Sequence, residues 1–243
     1  MKRVAIIQAR MGSSRLPGKI LENIAGRSIL ERVVARVGAS NVIDEIVIAT
    51  TTQPEDEVIV TMARTLGVRS YRGSSEDVLG RFAAAANDAS ADIVVRITAD
   101  CPLIDPAVVG RVVRGLEQEP PCDYASNVLE RTYPRGLDAE GLYGDALART
   151  ARLARSPQAR EHVTWFIYGE RPDLWTLRSV TDDIDNSDLR WTVDTPGDLE
   201  LVRRLYRELD LGDDNSDYRP VVAYVRAHPE LAVANQYVRQ RLP

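Results

Sequence analysis

Lysine is almost missing from this 243-residue chain: only Lys2 and Lys19 among 31 basic residues, the other 29 being arginine. Such a bias usually reflects genome composition, but it makes the place of each lysine worth noting. Cysteine is equally scarce, and Cys101 and Cys122 have neither the spacing of a metal site nor the number for a disulfide framework. Of the two histidines, His228 precedes Pro229 in the tail and reads as structural, which leaves His162. No apolar run approaches the roughly 20 residues of a membrane span, so no membrane partner is expected. Met1-Lys2-Arg3 leads straight into an apolar strand without the longer apolar region and cleavage site of a signal peptide, and the expectation is a cytoplasmic protein. The net charge of −5 argues against general nucleic-acid binding, where a basic face supplies the affinity. What remains, at 44% hydrophobic and 28% charged residues, is an ordinary globular chain.

The most informative segment is Ile6-Ile7-Gln8-Ala9-Arg10-Met11-Gly12-Ser13-Ser14-Arg15-Leu16-Pro17-Gly18-Lys19. It follows a short β-branched run at 4–7 that reads as a buried first strand. Two glycines let backbone N–H groups approach an anion, and Arg10, Arg15 and Lys19 neutralise it, so the segment reads as a polyphosphate cradle. One of the two lysines therefore falls inside the candidate phosphate loop. The loop is not a Walker A motif, because five residues separate Gly12 from Gly18 and Ile20 follows Lys19, and it lacks the dinucleotide G-x-G-x-x-G spacing.

Strand-like and helix-like stretches alternate after it. Strands are expected at 4–7, 45–49, 69–71 and 93–97, and helices near 28–37, 55–66, 75–86 and 106–116, which implies an α/β class with a mostly parallel sheet and helices on both faces. On such sheets ligands bind beyond the strand ends, which brings the 12–19 loop and Asp100 to one edge. From 123 to 143 the pattern changes, and Tyr124, Tyr133, Leu137 and Leu142 among turn residues suggest a projecting hairpin. Helix returns over 149–168, interrupted at Pro157. A late strand is expected at 189–193, followed by a helix capped around Thr195-Pro196-Gly197-Asp198. The tail, 210–243, opens on Asp213-Asp214-Asn215, carries a helix at 219–227 and reads as packing, so the whole of 1–243 is expected to form one domain. Asp182-Asp183-Ile184-Asp185 reads as a solvated loop.

Gln-Ala-Arg-x-Gly-Ser-Ser-Arg-Leu-Pro-Gly-Lys resembles the opening signature of the sugar-acid cytidylyltransferases, the group containing CMP-KDO and CMP-sialate synthetases. With Gln8 and Met11 it is closest to the branch of the spore coat polysaccharide biosynthesis protein F. The resemblance continues through Arg96-Ile97-Thr98-Ala99-Asp100-Cys101-Pro102-Leu103-Ile104, Tyr133-Pro134-Arg135-Gly136-Leu137-Asp138, Arg160-Glu161-His162-Val163-Thr164 and Leu189-Arg190-Trp191-Thr192-Val193-Asp194-Thr195-Pro196, up to about residue 211. It implies a Rossmann-like (GT-A-like) nucleotidyltransferase fold with the hairpin inserted.

The function implied is a Mg²⁺-dependent enzyme that transfers CMP from CTP to a sugar acid or related oxyacid and releases pyrophosphate, in surface polysaccharide synthesis. Read alone, Asp100 and Asp194 are as easily turn or helix-cap aspartates; the resemblance carries both over as the metal pair, with Lys19 and Arg10 as further catalytic residues. Ala9, Arg10, Gly12, Ser13, Ser14, Arg15, Lys19, Ser75, Arg81 and Asp100 are the expected nucleotide contacts. Arg135, Asp138, Glu140 and the Arg160-Glu161-His162 cluster are the acceptor candidates. The family's habit of pairing, and the aromatics of the hairpin, suggest a homodimer closed through 123–143. Two rivals remain: a nucleotidyltransferase of another nucleotide, and a glycosyltransferase, for which Asp183-Ile184-Asp185 is the nearest Asp-x-Asp match.

Overall fold

A computed structural model describes residues 1–212 and 214–233. The chain opens with β1 (Arg3–Gln8), a 3₁₀ turn at Lys19–Leu21 and a small hairpin of β2 (Asn23–Ile24) and β3 (Arg27–Ser28), followed by α1 (Ile29–Gly38). Three βα units come next: β4 (Glu45–Thr51) with α2 (Glu57–Thr65), β5 (Arg69–Gly73) with α3 (Val78–Asp88), and β6 (Ile93–Thr98) with α4 (Pro106–Glu117). Then β7 (Tyr124–Ser126), β8 (Glu140–Tyr143), α5 (Gly144–Leu153), α6 (Pro157–Glu161), a π-helical turn at Phe166–Glu170 and β9 (Leu177–Ser179) lead to α7 (Pro196–Glu208), α8 (Arg219–Ala227) and α9 (Pro229–Val233).

Seven strands form one sheet in the order β5-β4-β1-β6-β8-β7-β9. Every pairing is parallel except the two made by β8, so β8 alone runs against the rest. The central strand shows why the sequence takes this form. Successive residues of β1 face opposite sides, and all four apolar ones are fully buried. Val4 and Ile6 pack with Val47, Leu79 and Phe82 beneath α3 and α5, while Ala5 and Ile7 pack with Leu30, Val33 and Val112 beneath α1 and α4. A strand buried on both faces has no polar face to alternate with, hence the continuous apolar run. Ser28 and Glu31 cap α1 reciprocally, and Asp105 with Pro106 starts α4.

Three expectations are corrected. The 123–143 hairpin does not project: β7 and β8 sit inside the main sheet, and Tyr124, Tyr133, Leu137 and Leu142 are all buried within the chain. Pairing with a second copy through those side chains therefore loses the observation that motivated it. The segment 189–193 is no strand of the sheet; its one β-bridge among the described residues pairs Arg190 with Arg135. Asp182 is not solvated, because its side chain is 7% exposed and takes an ion pair from Arg111 at 3.0 Å. The tail does pack: Tyr218, Val221, Val225 and Leu231 join Trp191, Leu205 and Tyr206 in one apolar cluster. Asp213 and residues 234–243 lie outside the described residues. No described helix is long and apolar enough to cross a membrane.

Candidate active site

Strands β1 and β6 are paired in register to their last residues, Gln8 beside Thr98, so the loops that follow them emerge together. The first is the glycine loop. It is folded on itself by Ser13 N and Gly18 N donating to Met11 O (2.9 and 3.1 Å), and tied down by Met11 N donating to the buried Asp56 (2.7 Å). Gly18 has φ +68°, a left-handed conformation that admits glycine readily and starts the turn carrying Lys19. Ile20, 2% exposed, anchors that turn in the core and leaves the Lys19 ammonium facing the loop after β6.

Lys19 Nζ donates to Asp100 Oδ2 (2.8 Å), Val193 O (2.8 Å) and Asp194 Oδ1 (2.9 Å). Burial alone would lower the ammonium, yet the charges of Asp100 and Asp194 outweigh it and hold Lys19 above its ordinary value. Burial likewise opposes ionisation of Asp100, and the adjacent Lys19 overcomes it, keeping that carboxyl below the usual range. Both groups are therefore charged at neutral pH.

Neither aspartate is a helix cap. The cap of α4 is Asp105, five residues beyond Asp100. The cap of α7 is Thr195, whose hydroxyl accepts from Asp198 N while Asp198 accepts from Asp194 N (3.0 Å) and Thr195 N (2.8 Å). Asp194 is thereby freed to meet three cations: Lys19, Arg15 Nη2 at 2.9 Å, and the buried Arg190 behind it. Arg190 carries no sequence signature of its own beyond membership of the 189–196 segment.

Three adjoining cavities cover these strand ends. The one over the loop, about 330 Å³, is lined by Arg10, Gly12, Ser13, Ser14, Arg15, Lys19, Asp100 and Asp194. On one side lies a cavity of about 580 Å³ bounded by Ser75–Val78 and by α6. On the other lies one of about 290 Å³ bounded by Arg131, Arg135, Asp138, Glu140, His162 and Tyr168. Gln8, Arg10 and Glu161 border the first pair, and Arg15, Thr98, Asp100 and Asp194 the second.

Most expected contacts gather here, with differences in detail. Ala9 does not: it is 2% exposed and its N–H donates to Ala49 O (3.2 Å) as part of the sheet. Arg81, also 2% exposed, lies against Gly73 and donates to Ser74 O, bracing the Ser74–Asp77 loop from beneath. Burial and the nearby charge of Arg10 lower Arg81 to about 10. Arg160 sits on the Ser75 side rather than with the acceptor group, because its guanidinium pairs with Asp77 and with Ala151 O (2.9 Å). Glu140 takes Arg96, Tyr124 and Thr164, a buried network beneath the third cavity. Asp138 holds Arg131 by both oxygens, at 2.6 and 3.0 Å. Arg131, Arg96 and Tyr168 were missed in the sequence, where nothing separates them from other buried arginines and tyrosines; the π-helical turn that presents Tyr168 has no sequence mark. Arg135 stands apart: its guanidinium makes no hydrogen bond or ion pair among the described residues. Burial lowers it, and Arg131 and Arg190 add to that against Asp138.

Arg135 is held by main chain. Arg135 N donates to Leu189 O (2.9 Å), Trp191 N to Arg135 O (2.7 Å), and Val193 N to Asp100 O (2.9 Å). The next residue, Gly136, has φ +102°, and a Cβ there would stand 2.8 Å from Trp191 C and 2.9 Å from Thr192 N. Gly136→Ala is therefore expected to cost about 2 kcal/mol of stability, read by chemical denaturation.

The glycosyltransferase alternative finds no support in the Asp-x-Asp match, since Ile184 is 69% exposed and Asp185 accepts from Ser187 N within its own loop.

Known proteins resemble the chain along most of its length. The family model described as cytidylyltransferase matches residues 4–204. The 3-deoxy-manno-octulosonate cytidylyltransferase of Solibacter usitatus is 36% identical, with 85% of this chain and 95% of that protein covered. The spore coat polysaccharide biosynthesis protein SpsF of Bacillus subtilis is 31% identical, with 84% and 85% covered. The solved structure of a cytidylyltransferase from Leptospira borgpetersenii superposes with a TM-score of 0.90 over 100% of both chains at 29% identity. A loop of glycines and cations closed on two strand-end carboxylates, matched over this span, places the chain in the cytidylyltransferase family of nucleotidyltransferases.

Proposed function

We propose that the chain transfers CMP from CTP to a small sugar acid or related oxyacid, with Mg²⁺ as cofactor and pyrophosphate as the second product. The observation that carries the acceptor half is Arg135: a half-buried guanidinium without a partner among the described residues, beside Arg131 in a cavity adjoining Lys19 and Asp100. A cation held so against burial and like charge is relieved by an anion in the cavity, and a carboxylate matches its planar fork. The relatives' printed activities support the same class.

In this reading the triphosphate lies over the glycine loop, where Arg10, Arg15 and Ser13 face it, and the nucleoside extends toward Ser75 and Asp77. The acceptor oxygen comes from the opposite side to attack the α-phosphorus, and pyrophosphate leaves along the loop, where Lys19 meets the growing charge. No covalent enzyme intermediate is needed.

The donor set fits a hard divalent cation. Asp100 and Asp194 converge on a single point of positive charge, and both line the cavity over the loop. No group of three or more His, Cys, Asp or Glu converges among the described residues, so Asp100 and Asp194 are the residues that would hold the cation, with substrate and water supplying the rest. Bound there, it would neutralise phosphate oxygens.

Two measurements test this. With Mg²⁺ present, CTP is expected to raise the melting temperature more than equal concentrations of ATP, GTP or UTP; equal shifts from all four would remove the case for a cytosine preference. In pyrophosphate release against a panel of sugar acids and other oxyacids, Arg135→Ala should raise the acceptor KM by about tenfold or more, the scale of one charge-assisted hydrogen bond, and leave the CTP KM within about twofold. A CTP effect as large as the acceptor effect would sink the assignment.

A further inference from the structure

Glu161 is a carboxylate in a cleft otherwise built for an anion. It is exposed, it borders both the cavity over the glycine loop and the one beside Ser75, and its side chain makes no hydrogen bond or ion pair among the described residues. It shares those two borders with Gln8 and Arg10. A bare carboxylate beside a triphosphate weakens binding by like-charge repulsion unless a cation or a hydrogen-bond donor of the nucleotide meets it. Glu161 does not converge with Asp100 and Asp194 into a three-carboxylate group among the described residues, which favours the donor.

The backbone around Glu161 is fixed. Ser156 caps α6, Arg160 pins the helix to Asp77 at the start of α3, and Ala159 is fully buried. The helix ends at Glu161, and two residues on the chain turns at Val163, a buried β-branched residue with φ +53°. That conformation is costly for valine and persists only where the surroundings impose it. Glu161 borders the two cavities on one side, while its neighbour His162 borders the acceptor cavity on the other.

We propose that Glu161 accepts hydrogen bonds from the ribose hydroxyls of the bound nucleotide and thereby selects ribonucleotides over 2′-deoxynucleotides. The inference rests on the cytidylyl reading above. A cytidine nucleotide has three donors outside its phosphates: the exocyclic amine and the 2′- and 3′-hydroxyls. With the phosphates on the glycine loop and the base beyond, toward Ser75, the boundary between the two cavities is where the sugar lies. The amine belongs deeper in the second cavity, away from the loop that Glu161 also borders. A carboxylate accepts from both vicinal hydroxyls at once, and a deoxynucleotide offers it one donor fewer.

The test is pyrophosphate release and calorimetric binding of CTP, 2′-deoxy-CTP and 3′-deoxy-CTP to the full chain and to Glu161→Ala and Glu161→Gln, with Mg²⁺ varied. The wild type is expected to prefer CTP over 2′-deoxy-CTP by tenfold or more in kcat/KM. Glu161→Ala should bring that ratio close to one, mainly by losing CTP. Glu161→Gln, whose carbonyl still accepts, should keep part of it. An equal loss for CTP and both deoxynucleotides in Glu161→Ala would overturn the proposal, as would a shift in the Mg²⁺ midpoint with the ratio unchanged. Failure of wild type to bind CTP would instead overturn the cytidylyl reading, and the same ratio would then be measured with the ribo- and deoxy-forms of the triphosphate it does bind.

Discussion

Lys19→Ala is expected to lower kcat by about a hundredfold or more, the scale for removing one preorganised charge donor from a reacting phosphoryl group. CTP affinity should fall much less, because Arg10, Arg15 and the loop backbone still face the triphosphate. The distinction matters: an interaction that strengthens as the bond to pyrophosphate breaks appears in kcat, whereas one that is equal in ground and transition states appears in KM. Lys19→Arg should rescue poorly. The ammonium reaches three acceptors, on Asp100, Val193 and Asp194, within 2.9 Å from a side chain only 11% exposed. A planar fork cannot point at three such positions from one atom, and the turn held by Gly18 and Ile20 leaves it no room to retreat. Stopped-flow single turnover with separate binding measurements checks this, and an elevated CTP KM with unchanged kcat in Lys19→Ala would reduce the residue to a uniform binding group.

Asp194→Asn and Asp100→Asn should both abolish most turnover, but they should differ in stability. Asp194 is the counter-charge for Lys19, Arg15 and Arg190, and Arg190 is 8% exposed with a second carboxylate, Asp198, further off at 3.7 Å. Neutralising Asp194 leaves a buried guanidinium undercompensated, a loss of about 3 kcal/mol, which for a chain of this size lowers the melting temperature by roughly 8 °C. Asp100→Asn leaves Lys19 its bond to Asp194, so its melting temperature should move by only about 2 °C. The pair thus separates a residue that serves chemistry alone from one that also holds the site's cations together. Equal melting shifts in the two variants, or near wild-type turnover in either at saturating Mg²⁺, would contradict this division.

The sheet and the helices around it were legible because burial writes itself into the chain: β1 reads as a continuous apolar run, β6 as one broken only by Arg96, and α7 announces its start through Thr195. The glycine loop was legible for a similar reason, since few folds need such a density of glycine and cation in ten residues. The errors share a cause of their own. Tyr124 and Tyr133 look like surface aromatics among polar neighbours, yet both rings are fully buried, and so are the polar Ser126 and Asn127 beside Tyr124. Arg81 and Arg160 are near the site, but the sequence does not say that one braces Ser74 and the other grips Asp77, because partners 7 and 83 residues away are chosen by tertiary packing. Nor does it show that Arg190 backs Asp194, although the two are only four residues apart. Periodicity describes which face is buried, not which charge answers which.

The three main-chain bonds that tie 189–193 to Arg135 and Asp100 have a consequence for how this architecture can change. They join peptide groups and are indifferent to side-chain identity, apart from the one glycine at 136. In the proposed reading, the distance between the phosphate end and the acceptor end is therefore set by a rail of peptide bonds. Residues that project from it, such as Arg135, and those opposite it, such as Arg131 and Tyr168, can be exchanged one at a time while the reacting oxygen and phosphorus keep their spacing. A lineage built on such a rail can take up new acids by drift in a handful of side chains, with the nucleotide half of the site untouched.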